Sequence, residues 1–371
     1  MTDTDGSSWD RTTSRREFVT ATTAAGLIAI AGCTGDGDTS ASNGGKPDDS
    51  QGDTATVETL EAGGSSTVYP IVGGKGGAET YWNANPAASS DEWPHETYGI
   101  ETDDRLANYW GSRYGFQSEG SSPPFKVTVS LSHSGTGCEK LRNHQLDIGD
   151  SSAPVRAEKP DWSESVYEKF TDHVVGVDGQ PLVVSSEIYE QGVTGITGQE
   201  LKDIYKGRIT NWKALGGPDR KIQVLGRVKG SGTRTAFVKN VFGDPAASTT
   251  VDNRFGQNQR LAQAIKQADN AISYLALAFL DTKGVTDIAL NWKGTTYEYG
   301  SETNGLGAKE YPLSRDLHAY TWDGTSKAEA AFLRMVLSDF GQATFVEPND
   351  YFKLPKDRQQ AQLDKLPDPS V

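Results

Sequence analysis

The chain is poor in sulfur: two cysteines, Cys33 and Cys138, and two methionines occur in 371 residues. A disulfide framework is thereby excluded as the source of stability. Histidine is scarce too. His95, His133, His144, His173 and His318 show no metal-ligand spacing, so neither a metal nor another cofactor is expected. Positive charge is outweighed, with 36 Lys and Arg against 50 Asp and Glu, a net charge of -14. Such a balance lacks the basic face that nucleic-acid binding needs. A short, mildly apolar run near the N-terminus, Ala24 to Gly32, is too short to span a bilayer. Two catalytic signatures are missing as well. There is no G-x-S-x-G nucleophile elbow. Gly74-Lys75 is followed by Gly76, so no G-x-x-x-x-G-K-[ST] phosphate loop forms. What is present is length enough for two domains and, despite a hydrophobic fraction of 35%, 8 Trp, 14 Tyr and 12 Phe to build cores.

The first 33 residues read as an export signal. "SRREFV", Ser14 to Val19, resembles a twin-arginine motif. The apolar run Ala24 to Gly32 follows, and "IAGC", Ile30 to Cys33, resembles a lipobox that would make Cys33 the lipidated first residue of the mature protein. Removing residues 1–32 takes away four acids and three bases, leaving 46 acidic and 33 basic residues and a net charge of -13. Residues 34–56, rich in Ser, Gly, Asp and Thr, are expected to form a flexible tether.

Beyond the tether, strand-like and helix-like stretches alternate, which predicts an α/β class. Strands are expected at Val57–Ala62, Phe125–Ser132, within Leu146–Val155, and at Gly179–Ser186. Pro70 suits the first turn of a helix. A further helix is expected around Asp103 to Tyr114. "TGQE", Thr197 to Glu200, has the form of a capping box. "KIQVLGRVKGSGTRTAFVKNVF" reads as strand, turn and helix. Lys327 to Phe345 has amphipathic spacing and is expected to be one helix closed by Gly341. Residues 73–100, with Gly-Gly pairs, Asn, Pro and aromatics, read as an inserted loop with its aromatics exposed.

Four turns share one design: Gly64-Ser65-Ser66-Thr67, Ser134-Gly135-Thr136-Gly137, Asp150-Ser151-Ser152 and Gly230-Ser231-Gly232-Thr233. Each follows a predicted strand, and at least three lead into a helix. A helix start offers unpaired N–H groups and partial positive charge. Small residues let a ligand approach that backbone, and hydroxyls add donors without bulk. Arg227 adds a planar fork suited to two oxygens of one anion. Taken singly, each turn is an ordinary helix cap. Together they point to a small tetrahedral oxyanion, which must find many hydrogen bonds once it leaves water.

"GSSTVYPI", "DIGDSSAP", "VDGQPLVVS", "LKDIYKGRITNWKALGGPDRKIQVLGRVKGSGTRTAF" and "YPLSRDLHAYT" closely resemble the phosphate-binding protein of the phosphate ABC transporter, the PstS family. The resemblance covers nearly all of Val57 to Leu354. The acidic, lysine-poor composition is similar to a haloarchaeal style. The family implies a two-lobed, type II-like periplasmic-binding-protein fold, each lobe a sheet flanked by helices, with the ligand in the interlobe cleft. Residues 57–178 and 295–371 would form one lobe and 179–294 the other. By motif, Ser66, Thr67, Val68 and Tyr69 fall on the first phosphate loop, Ser134 on the second, and Arg227, Ser231, Gly232 and Thr233 on the last. Ser152 falls where the family often has an aspartate, and Asp150 is the expected substitute acceptor for a protonated phosphate. Lys229 replaces an acidic neighbour of the arginine, which leaves Arg227 without that restraint.

The resemblance implies a monomeric, non-enzymatic receptor outside the cell membrane, held by lipidated Cys33, that delivers inorganic phosphate to permease subunits. Alternatives are a receptor for sulfate, molybdate or tungstate, or a secreted phosphohydrolase, for which His133 beside Ser134 is a thin candidate base.

Overall fold

A computed structural model describes residues 59–369. The export signal, Cys33 and the tether lie outside the described residues. Twelve strands run along the described chain: β1 (Thr59–Ser65), β2 (Lys126–Ser132), β3 (Ile148–Ser151), β4 (Phe170–Gly179), β5 (Leu182–Ser185), β6 (Gly195–Thr197), β7 (Gln223–Arg227), β8 (Asn253–Phe255), β9 (Ala271–Tyr274), β10 (Val285–Trp292), β11 (Thr295–Tyr297) and β12 (Ser314–Trp322). They make two sheets. The first has the order β2-β1-β3-β12-β4, and the second has the order β11-β10-β5-β9-β7-β8 with β6 beside β10. Helices pack on both, so the class is α/β as the alternation predicts. The chain passes from first sheet to second after β4 and returns through β12. β11 belongs to the second sheet, just past the boundary at 294 read from the sequence.

Parallel pairing places the functional loops. β1 is parallel to both β2 and β3, and β7 is parallel to β8 and β9. Parallel neighbours send their C-terminal ends, and the loops that follow, to one edge of the sheet. In open α/β sheets that edge is where ligands bind. The turns start later than the sequence suggests. Gly64 and Ser65 still belong to β1, Asp150 and Ser151 to β3, and Ser134 and Gly232 already open helices.

Close packing behind the first edge requires glycine. Gly64 has φ +141°, and a Cβ there would lie 2.3 Å from the Asp150 carbonyl oxygen and 3.1 Å from Gly137 Cα. The helix Ser134–Arg142 therefore sits directly on β1 and brings its first turn to the end of that strand.

Residues 73–100 are not the exposed loop expected. They contain the helix Ala78–Ala84 and a turn of 3-10 helix, His95–Tyr98. Trp82 and Trp93 are both 0% exposed. Trp82 Nε1 donates to Phe125 O at 2.8 Å, and the Trp93 ring meets Phe340 edge-on at 4.9 Å. The segment also covers the open edge of the first sheet. Asn83 donates to Val127 O at 2.7 Å and accepts from Val127 N at 3.0 Å, completing the ladder of edge strand β2. The glycines and Pro86 hid this role because they punctuate the segment without exposing it.

Two helix termini separate a correct expectation from an incorrect one. The Thr197–Glu200 capping box forms, with Glu200 N donating to Thr197 Oγ1 at 3.2 Å and Thr197 N to Glu200 Oε2 at 2.7 Å. The long C-terminal helix ends earlier than expected, at Leu337, because Ser338 leaves helical geometry and caps a new turn. Gly341 does not close it. A Cβ at Gly341 would lie 2.2 Å from Met335 O, so this glycine allows the new turn to fold back on the old one. Among the described residues no helix is long and apolar enough to cross a membrane.

Candidate functional site

The ends of β1, β2, β3 and β7 meet in one place, although they come from two sheets. Thr67 Oγ1 and Thr233 Oγ1 are 3.0 Å apart. Ser65 Oγ donates to Ser152 Oγ at 3.1 Å, Ser152 N donates to Ser134 Oγ at 3.1 Å, and the Ser134 and Ser152 hydroxyls lie 3.4 Å apart. Gly232 seals this side. A Cβ on it would come within 2.4 Å of Ser134 Oγ and 2.6 Å of Ser152 Oγ, so only glycine lets the second-sheet helix reach the first-sheet loops. Gly135 N donates to Gly230 O at 3.1 Å across the same contact. Ser66, Thr67, Ser134, Ser152, Ser231 and Thr233 are all buried, and the Ser231 hydroxyl has no partner among the described residues. The side chains of Val68 and Tyr69 do not join the ring: Val68 is in the core, and the Tyr69 ring packs over Gly73 and Gly74.

Arg227 closes the ring of hydroxyls. It is 1% exposed. Its Nη2 donates to Ser66 Oγ at 3.1 Å and to Gly256 O at 2.7 Å. Nη1 donates to Asn258 Oδ1 at 2.6 Å and to Thr233 Oγ1 at 3.2 Å, and Nε to Phe255 O at 3.2 Å. Lys229 is exposed and supplies no acidic restraint, and neutral oxygens hold Arg227 instead. No carboxylate lies within ion-pair distance of Arg227 among the described residues. Burial, the largest influence, pulls its guanidinium down to about 9. A buried cation with only neutral acceptors is a strong place for an anion.

Asp150 is different. It is buried on β3, two residues before Ser152, yet neither carboxylate oxygen has a partner among the described residues. Burial alone pushes its carboxyl up to about 8. The folded chain therefore brings the other ten expected residues to one locus but does not join the Asp150 carboxyl to them by hydrogen bonds.

Two further residues belong to the ring. Asn258, first residue of the helix Asn258–Gln267, donates to Ser66 Oγ at 3.3 Å and Thr67 Oγ1 at 3.1 Å while accepting from Arg227. Arg315 contacts Thr67 and Ser152 from β12. Arg315 lies inside the "YPLSRDLHAYT" stretch that carries the resemblance, but nothing in that stretch marks its role. Asn258 had no signal beyond the amphipathic spacing of Leu261, Ala262 and Ile265 after it. His133 stands at the rim with its Nδ1 unpartnered, and burial, the largest influence, lowers its ring. Cys138 is packed beneath with Leu141 and Tyr320, and burial pushes its thiol far up.

Comparison with known proteins bears on the family and the fold. The model of the PBP superfamily domain matches residues 99–339. The Bacillus subtilis phosphate-binding protein PstS is 32% identical over 232 residues, spanning 62% of this chain and 72% of the relative. The Staphylococcus epidermidis phosphate-binding protein PstS is 27% identical over 255 residues, spanning 66% and 74%. Among solved structures, a proposed phosphate ABC transporter substrate-binding protein from Clostridium perfringens superposes with a TM-score of 0.57 at 22% identity, covering 80% of this chain and 100% of that one. The structural likeness speaks to the fold, and the sequence likeness carries the kinship. The chain belongs to the PBP superfamily and, within it, to the phosphate-binding protein PstS family.

Proposed function

We propose that this protein captures inorganic phosphate outside the cytoplasm and hands it to the membrane permease of an ABC transporter, acting as a monomer held by a lipid on Cys33. The observation that carries the reading is the buried Arg227. It carries a full positive charge, touches only neutral oxygens, and stands among hydroxyls from two sheets. A tetrahedral dianion supplies the missing negative charge and enough oxygens to engage donors on several sides at once. The kinship with PstS relatives supports phosphate as that dianion.

The proposed site comprises Ser66, Thr67, Val68, Tyr69, Ser134, Ser152, Arg227, Ser231, Gly232 and Thr233, with Asp150 as acceptor of a phosphate proton. Asp150 rests on burial and on its place in the chain alone. Asp150→Asn tests it: loss of preference for phosphate over sulfate supports the role, and unchanged preference removes Asp150 from the site. The proposed lobes are built on the two sheets, with crossings after β4 and before β12. They would part to admit the anion and close on it. The twin-arginine and lipobox motifs support export and anchoring, and a Cys33→Ala variant that stays with the membrane fraction would contradict the anchor. Isothermal titration of phosphate, sulfate and molybdate into the protein tests the ligand. Saturable one-to-one binding of phosphate is expected, and turnover of a chromogenic phosphoester would favour a hydrolase instead.

A further inference from the structure

Arg315 opens β12, and its register partner across the antiparallel pair is Asp178, near the end of β4. These two strands are the ones by which the chain leaves and re-enters the first sheet. Nε and Nη2 of Arg315 both donate to Asp178 Oδ2, at 2.9 and 2.6 Å. Asp178 Oδ1 accepts from Leu277 N at 2.9 Å, a contact from the second sheet's side of the crossing. One edge of the guanidinium is thus clamped by a carboxylate that is itself held.

The remaining donors face the ring of hydroxyls. Nη1 reaches Ser152 O at 3.2 Å and Ser152 Oγ at 3.3 Å, and Nη2 lies 3.3 Å from Thr67 Oγ1. These contacts are long beside the Asp178 pair, and they go to neutral atoms. A charged oxygen is the better partner for each donor. Thr67 Oγ1 is also crowded. It receives Asn258 Nδ2 as well as Arg315 Nη2, and it pairs with Thr233, which receives Arg227. Donors from two guanidiniums and an amide thus converge on a few hydroxyls, which offer two lone pairs each. A strand-pinning ion pair has no need of donors aimed at Thr67 and Ser152. It would also add little net stability over an apolar pair in so buried a place, where Arg315 is 7% and Asp178 0% exposed.

We propose that Arg315, aimed by Asp178, is a second anion-recognising guanidinium of this site, exchanging its long contacts with Thr67 and Ser152 for oxygens of bound phosphate. Because Asp178 already balances its charge, Arg315 adds direction more than charge. Its place on the crossing strands ties the bound anion to the segments that join the two sheets.

The inference rests on the phosphate reading, and one set of titrations separates the two. Phosphate is titrated calorimetrically into the wild-type, Arg315→Met and Arg315→Lys proteins, and melting of each is followed without ligand. The expected result is a dissociation constant raised by about tenfold to a hundredfold in Arg315→Met, as for loss of one charged hydrogen-bonding group. Lysine, which keeps the charge but loses the fork, falls between. A crystal structure of the phosphate complex is expected to show an Arg315 Nη within about 3 Å of an anion oxygen. A variant that melts lower but binds phosphate as wild type does would make Arg315 structural and overturn the inference while leaving the proposed function standing. A wild-type protein that binds no phosphate would overturn the proposed function itself. Should Arg315→Met not fold, the lysine variant and the complex carry the test. Wild-type affinity in Arg315→Lys together with an Arg315 that makes no contact to the anion would likewise overturn it.

Discussion

Arg227 and Arg315 are both buried at the meeting of the two sheets, and they are held in opposite ways. Arg227 is gripped by Asn258, Gly256, Phe255, Thr233 and Ser66, none of them charged. Arg315 is gripped by the Asp178 carboxylate. The first leaves a positive charge uncompensated inside the protein, and the second is neutral as a pair. Desolvating a cation is costly, so the Arg227 arrangement makes physical sense only with an anion to come, whereas the Arg315 pair is self-sufficient and can only refine what Arg227 begins. Charge and direction are thus divided between two residues far apart in the sequence.

The largest effect should come from removing the uncompensated charge. Arg227→Met is expected to weaken phosphate binding by about two to three orders of magnitude, the range for stripping a buried ion of its partner, measured by calorimetry. A loss no greater than that of Arg315→Met would erase the distinction between the two guanidiniums.

Next comes Gly232. Its added methyl would press on the Ser134 and Ser152 hydroxyls, on the side that Arg315 contacts. Gly232→Ala is expected to weaken phosphate by about tenfold or more, because overpacking where the loops meet costs about 1–3 kcal/mol. Wild-type affinity in that variant would mean that the loops do not close as tightly as drawn.

The two buried aspartates extend the same comparison. Asp178 has its guanidinium, and Asp150 has nothing. Burial holds the Asp150 carboxyl at about 8, above its unfolded value of about 3.9. In the ligand-free protein the folded state therefore holds a proton that the unfolded state has released, and this proton must leave before the carboxyl can accept one from phosphate. Stability from this group is fully present below about pH 4 and is lost as pH rises toward about 8. Asp150→Asn removes that slope. Its melting temperature should exceed that of wild type by a margin that grows from about pH 4 to about pH 8 and then stays constant. A margin independent of pH would mean that Asp150 is solvated or paired.

The smallest expected effect is that of salt. At roughly 1 M ionic strength the Debye length is about 3 Å, so the acidic surface is screened while donors inside a dehydrated cleft are not. Phosphate affinity should change by less than about tenfold between dilute buffer and molar chloride, by calorimetry at each salt. A steep fall would place the anion nearer the surface than Arg227 lies.

Much of this site could be read in the chain because its chemistry is local. Each loop follows its own strand, and Ser66, Thr67, Ser134, Ser152 and Ser231–Thr233 advertise themselves by small polar residues at strand ends. The strands β4 and β12 were harder. They carry mixed residues such as His173, Asp178, Arg315 and His318, which are buried by partners distant in sequence and leave no clean alternation. Arg315 becomes meaningful only once register sets it opposite Asp178. Asn258 is hidden for a related reason: it matters through Arg227, 31 positions away. The segment 73–100 misled because composition reports where a chain can bend, whereas Trp82 acts through Phe125 and Asn83 through Val127 of β2, 43 and 44 positions on. Asp150 shows the converse, since nearness to Ser152 in sequence left its carboxyl without a hydrogen bond to the ring.

The most direct test is the phosphate titration of wild-type protein beside Arg227→Met in molar salt. Tight one-to-one binding by wild type, nearly abolished in the variant, is the predicted result. Equal binding by both would show that the buried guanidinium is not where the anion is held.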